Sequence, residues 1–368
     1  MNMIFDNKVI DFESEPLMLG TGVNVVRLDM NLDPFLERLF DRALGLMWFK
    51  NDFSYADDGA CYNNLPQELK DLFLKNLKFQ TLLDSIAART VAEVFIPIST
   101  NGQNETWLYL HSFFEGAIHS PTYAEIVKAL PLDAKKIFDD IMINSNIIDR
   151  GRDITDVFNE TVKYNSRMIL KDEIDVEYNV DEHKKLIVLS LYALNILEAM
   201  LFQSSFLVSF AFKENGMMNA TGDAITKISL DEKQHYAYTV YMINKHKKDP
   251  EWTHIFNEVE DKVIDLYSRA IKADYLWIDY VFEDGAKLLG ISNQILKHFV
   301  DYNAYKVMSA IGLKPLTNKS DNPCSWADKY TKIDNIQTAQ KEKEGISYKL
   351  GIIDTTMTNN DWKDLFDN

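Results

Sequence analysis

The sequence predicts an all-α fold, a bundle of helices around a buried group of acids, and three observations carry that expectation. Helical periodicity recurs along most of the chain, whereas strand signals are scarce. Only 14 Gly and 9 Pro interrupt 368 residues that are 46% hydrophobic, too few for a loop-rich or all-β design. Two acid/histidine pairs and two lone acids lie inside apolar helical segments: Asp84, Glu115 with His119, Glu198, and Glu232 with His235.

Residues 1–32 show little regular pattern and read as an N-terminal arm. Over 33–49, Phe35, Leu36, Leu39, Phe40, Ala43 and Leu44 recur at helical spacing, and Trp48 closes the segment. Asp57-Asp58-Gly59 reads as a turn. A long helix opens near Pro66, a residue suited to a first turn, and carries Leu69, Leu72, Phe73, Leu77, Leu83 and Ile86 around Asp84. A further helix covers roughly 105–130. Helical patterns follow near 133–147, 154–170, 183–212, 218–247, 251–285 and 293–311. Ser292 caps the last of these, and Gly312 and Pro315 end it. Beyond about Ser320 the apolar rhythm fades, and the chain closes on DWKDLFDN, where Trp362, Leu365 and Phe366 stand out. The organisation expected is an arm (1–32), one helical domain (33–320) and a flexible tail (321–368).

Charge and cysteine usage exclude several classes of function. The balance of 39 basic against 56 acidic residues gives −17 at pH 7, a surface that repels nucleic-acid phosphates. Two cysteines, Cys61 and Cys324, are too few for a disulfide framework, a structural zinc site or an iron–sulfur cluster. The opening MNMIFDNKVIDFESEP lacks the basic and apolar regions of a signal peptide, which points to the cytoplasm. The apolar run 186–212 is long enough to span a membrane, but Asn195, Glu198 and Gln203 interrupt it. A core helix of a large bundle, apolar on every side, accounts for it without a membrane. An acid in such a helix is costly unless paired, protonated or bound to metal, which makes Glu198 the most diagnostic carboxylate.

Residues three or four apart on a helix share a face, so each acid/histidine pair can address one centre. Either pair alone is a common coincidence. Joined by Asp84 and Glu198 on separate apolar helices, they make four carboxylates and two imidazoles, the complement with which a helical bundle holds two hard metal ions. This donor set suits iron or manganese, and it predicts chemistry with dioxygen. Tyr123 lies one turn beyond His119, a weak signal among 17 tyrosines. Phe202, Phe206 and Phe210 follow Glu198 at steps of four; they read as core packing, and they can also keep water from a reactive neighbour. Nothing in the local pattern singles out Trp48 or Tyr348.

In their order along the chain, these segments resemble the radical-generating small subunit of class I ribonucleotide reductase. The resemblance runs from Trp48 to Tyr348. It rests on QTLLDSI (80–86), ETW (105–107) with the Glu115/His119 segment and Tyr123, LEAMLFQSSFLVSF (197–210), DEKQH (231–235), NPCSW (322–326) and GISYKLG (345–351). It implies a ferritin-like bundle with added helices, in which Asp84, Glu115, His119, Glu198, Glu232 and His235 bind two metals. Iron–iron comes first, with manganese–iron and manganese–manganese open. It further implies that Tyr123 holds a tyrosyl radical in an apolar pocket of Phe202, Phe206 and Ile228. Trp48 and Asp231 would belong to the electron and proton relay. Tyr348 would pass the radical onward, and the last residues would dock a large catalytic subunit that reduces ribonucleotides to deoxyribonucleotides. The family works as a homodimer. Two other readings stay open on the residues alone: a stand-alone di-metal oxidase of the same architecture, and a metal-storage or structural helical protein.

One departure stands out. The family spaces its first pair as Glu-x-x-His, and this chain has Glu115-Gly-Ala-Ile-His119. One extra residue turns an α-helix by about 100° and lengthens it by about 1.5 Å. A π-type or kinked segment within 113–121 is the expected remedy, because a π-bulge absorbs a single insertion. Pro121 adds to the expectation by freeing the carbonyl of Ala117. His111, one turn before Glu115, becomes a candidate outer-shell partner.

Overall fold

The computed structural model describes residue 5 and residues 9–331, and the described residues form helices with no strand beyond two isolated bridges, Met18–Ser99 and Leu288–Ile291. Tyr348 and the last eight residues lie outside the described residues.

The described residues of the arm form no helix, but Leu17 and Met18 are buried, and Leu19 N donates to Ile98 O at 2.9 Å. Helix α1 (Pro34–Gly45) starts where Asp33 accepts from Leu36 N, with Pro34 in its first turn. Helix α2 (Ala56–Asn64) replaces the turn expected at 57–59. Two tertiary demands account for the turn-like residues there. Asp58 accepts from Ala220 N and Thr221 N at 3.2 and 2.7 Å, capping a distant helix, and a Cβ on Gly59 would collide with the Ala129 carbonyl.

Helix α3 (Gln67–Thr90) follows Pro66, which lies just outside it, and runs on into a π-turn at Val91–Phe95. Helix α4 (Gly102–Phe113) is capped by Asn101, passes into a π-segment at Phe114–His119, and continues as α5 (Ser120–Ala129). Helices α6 (Ala134–Ile141) and α7 (Ser145–Leu170) come next. Helix α8 (Val180–Ile196), a third π-turn (Leu197–Leu201) and α9 (Phe202–Glu214) form one long apolar element. Of its most apolar window, 89% is buried inside the protein, so this stretch serves as the core helix that the interrupting polar residues suggest. Helices α10 (Asn219–Lys247), α11 (Pro250–Val281) and α12 (Asn293–Ala310) complete the bundle. Ser292 caps α12 by accepting from Ile295 N, and Gly312 follows it at φ +68°.

The chain stays packed past residue 320, where the sequence pattern places the start of the tail. Cys324 is fully buried, helix α13 (Asp328–Thr331) follows, and the Tyr330 ring stacks on Phe210 at 4.7 Å. A few apolar side chains in a polar stretch suffice to seat it, which periodicity alone does not reveal.

Packing among α3, α4–α5, α8–α9 and α10 defines the centre of the bundle. Helix α3 touches the 114–119 π-segment and α9, and α10 touches α8, α9 and the 197–201 π-turn. Each of these four elements buries apolar side chains and carries one of the acids Asp84, Glu115, Glu198 and Glu232.

Candidate metal centre

A π-turn widens the helix and disturbs its backbone hydrogen-bond ladder, which opens carbonyls to side-chain donors. In the Phe114–His119 segment, Ser120 Oγ donates to Glu115 O at 2.9 Å. In the Leu197–Leu201 turn, Gln203 Nε2 donates to Glu198 O, Asn303 Nδ2 to Ala199 O at 2.6 Å, and Arg150 Nη2 to Leu201 O at 2.7 Å. Arg150 is itself clamped. Its guanidinium pairs with buried Asp274 and lies over the Phe79 and Trp277 rings at 3.7 and 3.9 Å. Glu115 and Glu198 thus project from irregular backbone: Ser120, on the same helical run, holds the first segment, and Asn303 and Arg150 of other helices brace the second. The π-type segment expected within 113–121 is present, and it keeps Glu115 and His119 on one face despite the extra residue.

Seven side chains converge. Asp84, Glu115, His119 and Glu232 place ligand atoms within 4.8 Å of one another, and so do His111, Glu115, Glu198 and His235, with Glu115 common to both groups. All seven are at most 1% exposed. His119 Nδ1 lies 3.0 Å from Asp84 Oδ1, 3.4 Å from Glu232 Oε1 and 3.6 Å from Glu115 Oε2. His235 Nδ1 lies 2.9 Å from Glu115 Oε1 and 3.2 Å from Glu232 Oε2. His111, expected only as an outer-shell candidate, stands inside the group. Its position one turn before Glu115 is the signal that sequence reasoning had.

The electrostatics are those of a crowd of acids without enough positive charge. Burial pushes the carboxyls of Asp84, Glu198 and Glu232 up, toward their neutral forms. Glu115 moves the other way, because His119 and His235 outweigh the burial that opposes its charge. Burial also opposes the imidazolium forms, yet the carboxylates win and raise His119 and His235, the latter to about 10. His111 is held neutral by burial and by the neighbouring His235.

Whether two cations fit can be tested on the oxygens. Asp84 Oδ2, both oxygens of Glu115, both of Glu198 and Glu232 Oε1 are buried without a hydrogen-bond donor. Such orphaned acceptors are costly, and a dinuclear cation site would satisfy all six at once. Two divalent ions also match four carboxylates charge for charge and leave the imidazoles neutral, as ligation requires. The residues fit a dinuclear metal centre.

Around that centre run the remaining residues singled out above. His119 Nε2 is 3.1 Å from Asp231 Oδ2, and the same oxygen accepts from Trp48 Nε1 at 2.7 Å. The Trp48 and His119 rings are near parallel at 6.1 Å. Tyr123 is fully buried, its hydroxyl lacks a hydrogen-bond partner, and burial followed by Asp84 and Glu232 pushes its phenol well up. Phe202, Phe206 and Ile228 are buried as well, with Phe202 stacked on Phe206 at 5.3 Å.

Comparison with known proteins agrees with this geometry. Residues 31–323 match the family described as ribonucleotide reductase, small chain. The chain is 32% identical over 370 residues to the ribonucleoside-diphosphate reductase subunit beta of Haemophilus influenzae, covering 98% of each. It is 33% identical over 357 residues to the ribonucleoside-diphosphate reductase 1 subunit beta of Escherichia coli O157:H7, covering 94% of each. Its fold is similar to that of the ribonucleotide reductase R2 subunit from Clostridium botulinum, with a TM-score of 0.78 at 22% identity over 90% of this chain and 98% of that one. With a family match across most of its length and full-length relatives of this kind, the chain belongs to the small-chain family of ribonucleotide reductase, an oxidoreductase.

Proposed function

We propose that this chain generates and holds a tyrosyl radical for ribonucleoside-diphosphate reduction, using a dinuclear metal centre bound by Asp84, Glu115, His119, Glu198, Glu232 and His235. An iron pair is the first choice for this oxygen- and imidazole-rich set, with manganese able to replace either ion. Bound there, the two ions would supply the oxidising power of dioxygen.

The protein's own part is positioning and exclusion of water. Tyr123 yields one electron and its hydroxyl proton, leaving a neutral phenoxyl, and Asp84, a carboxylate whose charge acts on the phenol, is the group to take that proton. Burial of Tyr123 without a hydrogen-bond partner removes the water and donors that would quench the radical. Phe202, Phe206 and Ile228 thicken the dry surroundings. Asp231 orients His119 by accepting at Nε2, fixing Nδ1 toward the centre.

The observation that carries this reading over its rivals is the buried line Trp48–Asp231–His119. A stand-alone oxidase or a storage protein has no use for an aromatic hydrogen-bonded to a carboxylate that in turn holds a ligand. A subunit that exports an electron hole does. We place the other end of that route at Tyr348 and in the last residues of the chain, where a large catalytic subunit docks, and we read the working form as a cytoplasmic homodimer.

The test is oxygenation of metal-loaded protein. Wild type should give a tyrosyl electron-spin signal that Tyr123→Phe lacks while keeping its metal content. A signal of unchanged shape and intensity in that variant would remove Tyr123 from the role. Nucleotide reduction that needs an added large subunit separates this reading from both rivals.

A further inference from the structure

One titratable side chain in the centre has no role among the six assigned residues. His111 lies on α4, one turn before Glu115, and is fully buried. Its Nε2 approaches Glu198 Oε1 to 2.8 Å and Glu115 Oε1 to 3.9 Å. Its ring stacks on His235, with centroids 3.7 Å apart and planes 20° apart. We propose that His111 is a third imidazole ligand, binding through Nε2 the ion that His235, Glu198 and Glu115 also hold. The proposal rests on the reading of the centre as a two-cation site.

A plain hydrogen bond from His111 to Glu198 is the competing account, and the geometry opposes it. Despite the short approach, neither His111 nitrogen and neither Glu198 oxygen has a partner in hydrogen-bond alignment. Two ligands of one ion behave this way. Each sits about 2.1 Å from the cation, so they lie about 3 Å from one another with lone pairs aimed at the ion between them. His235 and Glu115 share the carboxylate half of this signature: Nδ1 and Oε1 are 2.9 Å apart and both Glu115 oxygens lack a hydrogen-bond donor, while Nδ1 itself pairs with Glu232 Oε2. His111 and Glu198 therefore relate to each other as two of the assigned ligands do.

The consequence is an unequal pair of positions. One ion is offered two imidazoles and two carboxylates, from His111, His235, Glu115 and Glu198. The other is offered one imidazole and three carboxylates, from His119, Asp84, Glu115 and Glu232. Step-by-four spacing of 111, 115 and 119 lets a single helical stretch present three donors, and the π-segment between Phe114 and His119 keeps them on one face.

The experiment is anaerobic loading of the full chain with Mn(II) alone, read by calorimetry and by anomalous diffraction from crystals. Two Mn(II) ions should bind, with His111 Nε2 about 2.2 Å from one of them. His111→Gln keeps an amide near Glu198 but removes the imidazole. With its far-UV circular dichroism unchanged, it should bind one ion as wild type does and the other at least tenfold more weakly. Affinity loss alone also follows from a lost outer-shell contact, so the bond length decides. Two seated ions with Nε2 farther than about 3 Å from both would overturn the assignment of His111 and leave the dinuclear site standing. A wild-type chain that takes up no Mn(II) would overturn the dinuclear reading and this proposal with it.

Discussion

His183 and His246 are buried imidazoles that stand apart from the metal centre, and both are held in the neutral form. His183 Nε2 donates to Asn165 Oδ1 at 2.7 Å, while its Nδ1 accepts from the Tyr178 hydroxyl at 3.0 Å. His246 Nδ1 donates to Met242 O at 2.8 Å, and its ring meets Trp252 edge-on at 4.9 Å. Burial lowers each from an ordinary 6.5 to about 4. An imidazole whose folded value is depressed contributes its full stability above 6.5 and loses it as pH falls toward 4. At pH 5 each withdraws about 2 kcal/mol. Denaturant unfolding at pH 7 and pH 5 should therefore show an acid-side loss that His246→Asn narrows by about that amount. An equal loss in the variant would mean that His246 carries its charge in the native state. Tyr178 and Asn165 matter here as more than decoration, since Asn165 Nδ2 also donates to Glu93 O and Val94 O in the first π-turn.

At the scale of elements, three π-turns set the character of the bundle: Val91–Phe95, Phe114–His119 and Leu197–Leu201. Two of them carry site acids, and each has a carbonyl taken by a side chain, from Asn165, Ser120, or the trio Gln203, Asn303 and Arg150. A π-turn is an α-helix with one residue too many, closed so that the flanking turns keep their register. Deleting Ala117 should therefore be tolerated, at a cost below about 2 kcal/mol, because the segment relaxes to an ordinary helix with α4 and α5 still in place. Deleting Ala124 from regular α5 rotates the remainder of that helix by about 100° and should cost more than about 4 kcal/mol. Thermal unfolding of the two variants makes the comparison. Equal damage from both deletions would show that the extra residue is not a local bulge.

Across the whole molecule, the centre lies between four helical elements, with α7 and α11 packed against α3 and α8, α12 against α9, and α1 against α4 and α10. Burying four acids is sustainable because the surrounding helices supply a large apolar interior, including the fully buried Trp107, Trp277 and Tyr267. The described residues run to Thr331, and the last eight residues of the sequence carry Trp362, Leu365 and Phe366 in a polar background. Apolar residues so placed suit docking to another surface more than they suit this core. Removing residues 361–368 should leave metal content and unfolding temperature unchanged and abolish binding to the large subunit, measured by calorimetric titration or sedimentation. Retained binding after truncation would move the docking surface onto the helical body.

What the sequence determined by itself is whatever is local: periodicity placed the helices, residue type and spacing picked out Asp84, Glu115, His119, Glu198, Glu232 and His235, and one surplus residue foretold the π-segment at 114–119. Those properties are legible because a helix face is set by residues three or four apart. Tertiary structure decided the rest. Asp58 and Gly59 look like a turn until the ends of α10 and α5 come against them, and Cys324 and Tyr330 look like tail until the fold buries the one and sets Phe210 against the other. Above all, His111 becomes a neighbour of Glu198, far along the chain, only when α4 and the α8–α9 element meet in the bundle. A donor's partners are fixed by distance in space, and spacing along one helix cannot state it.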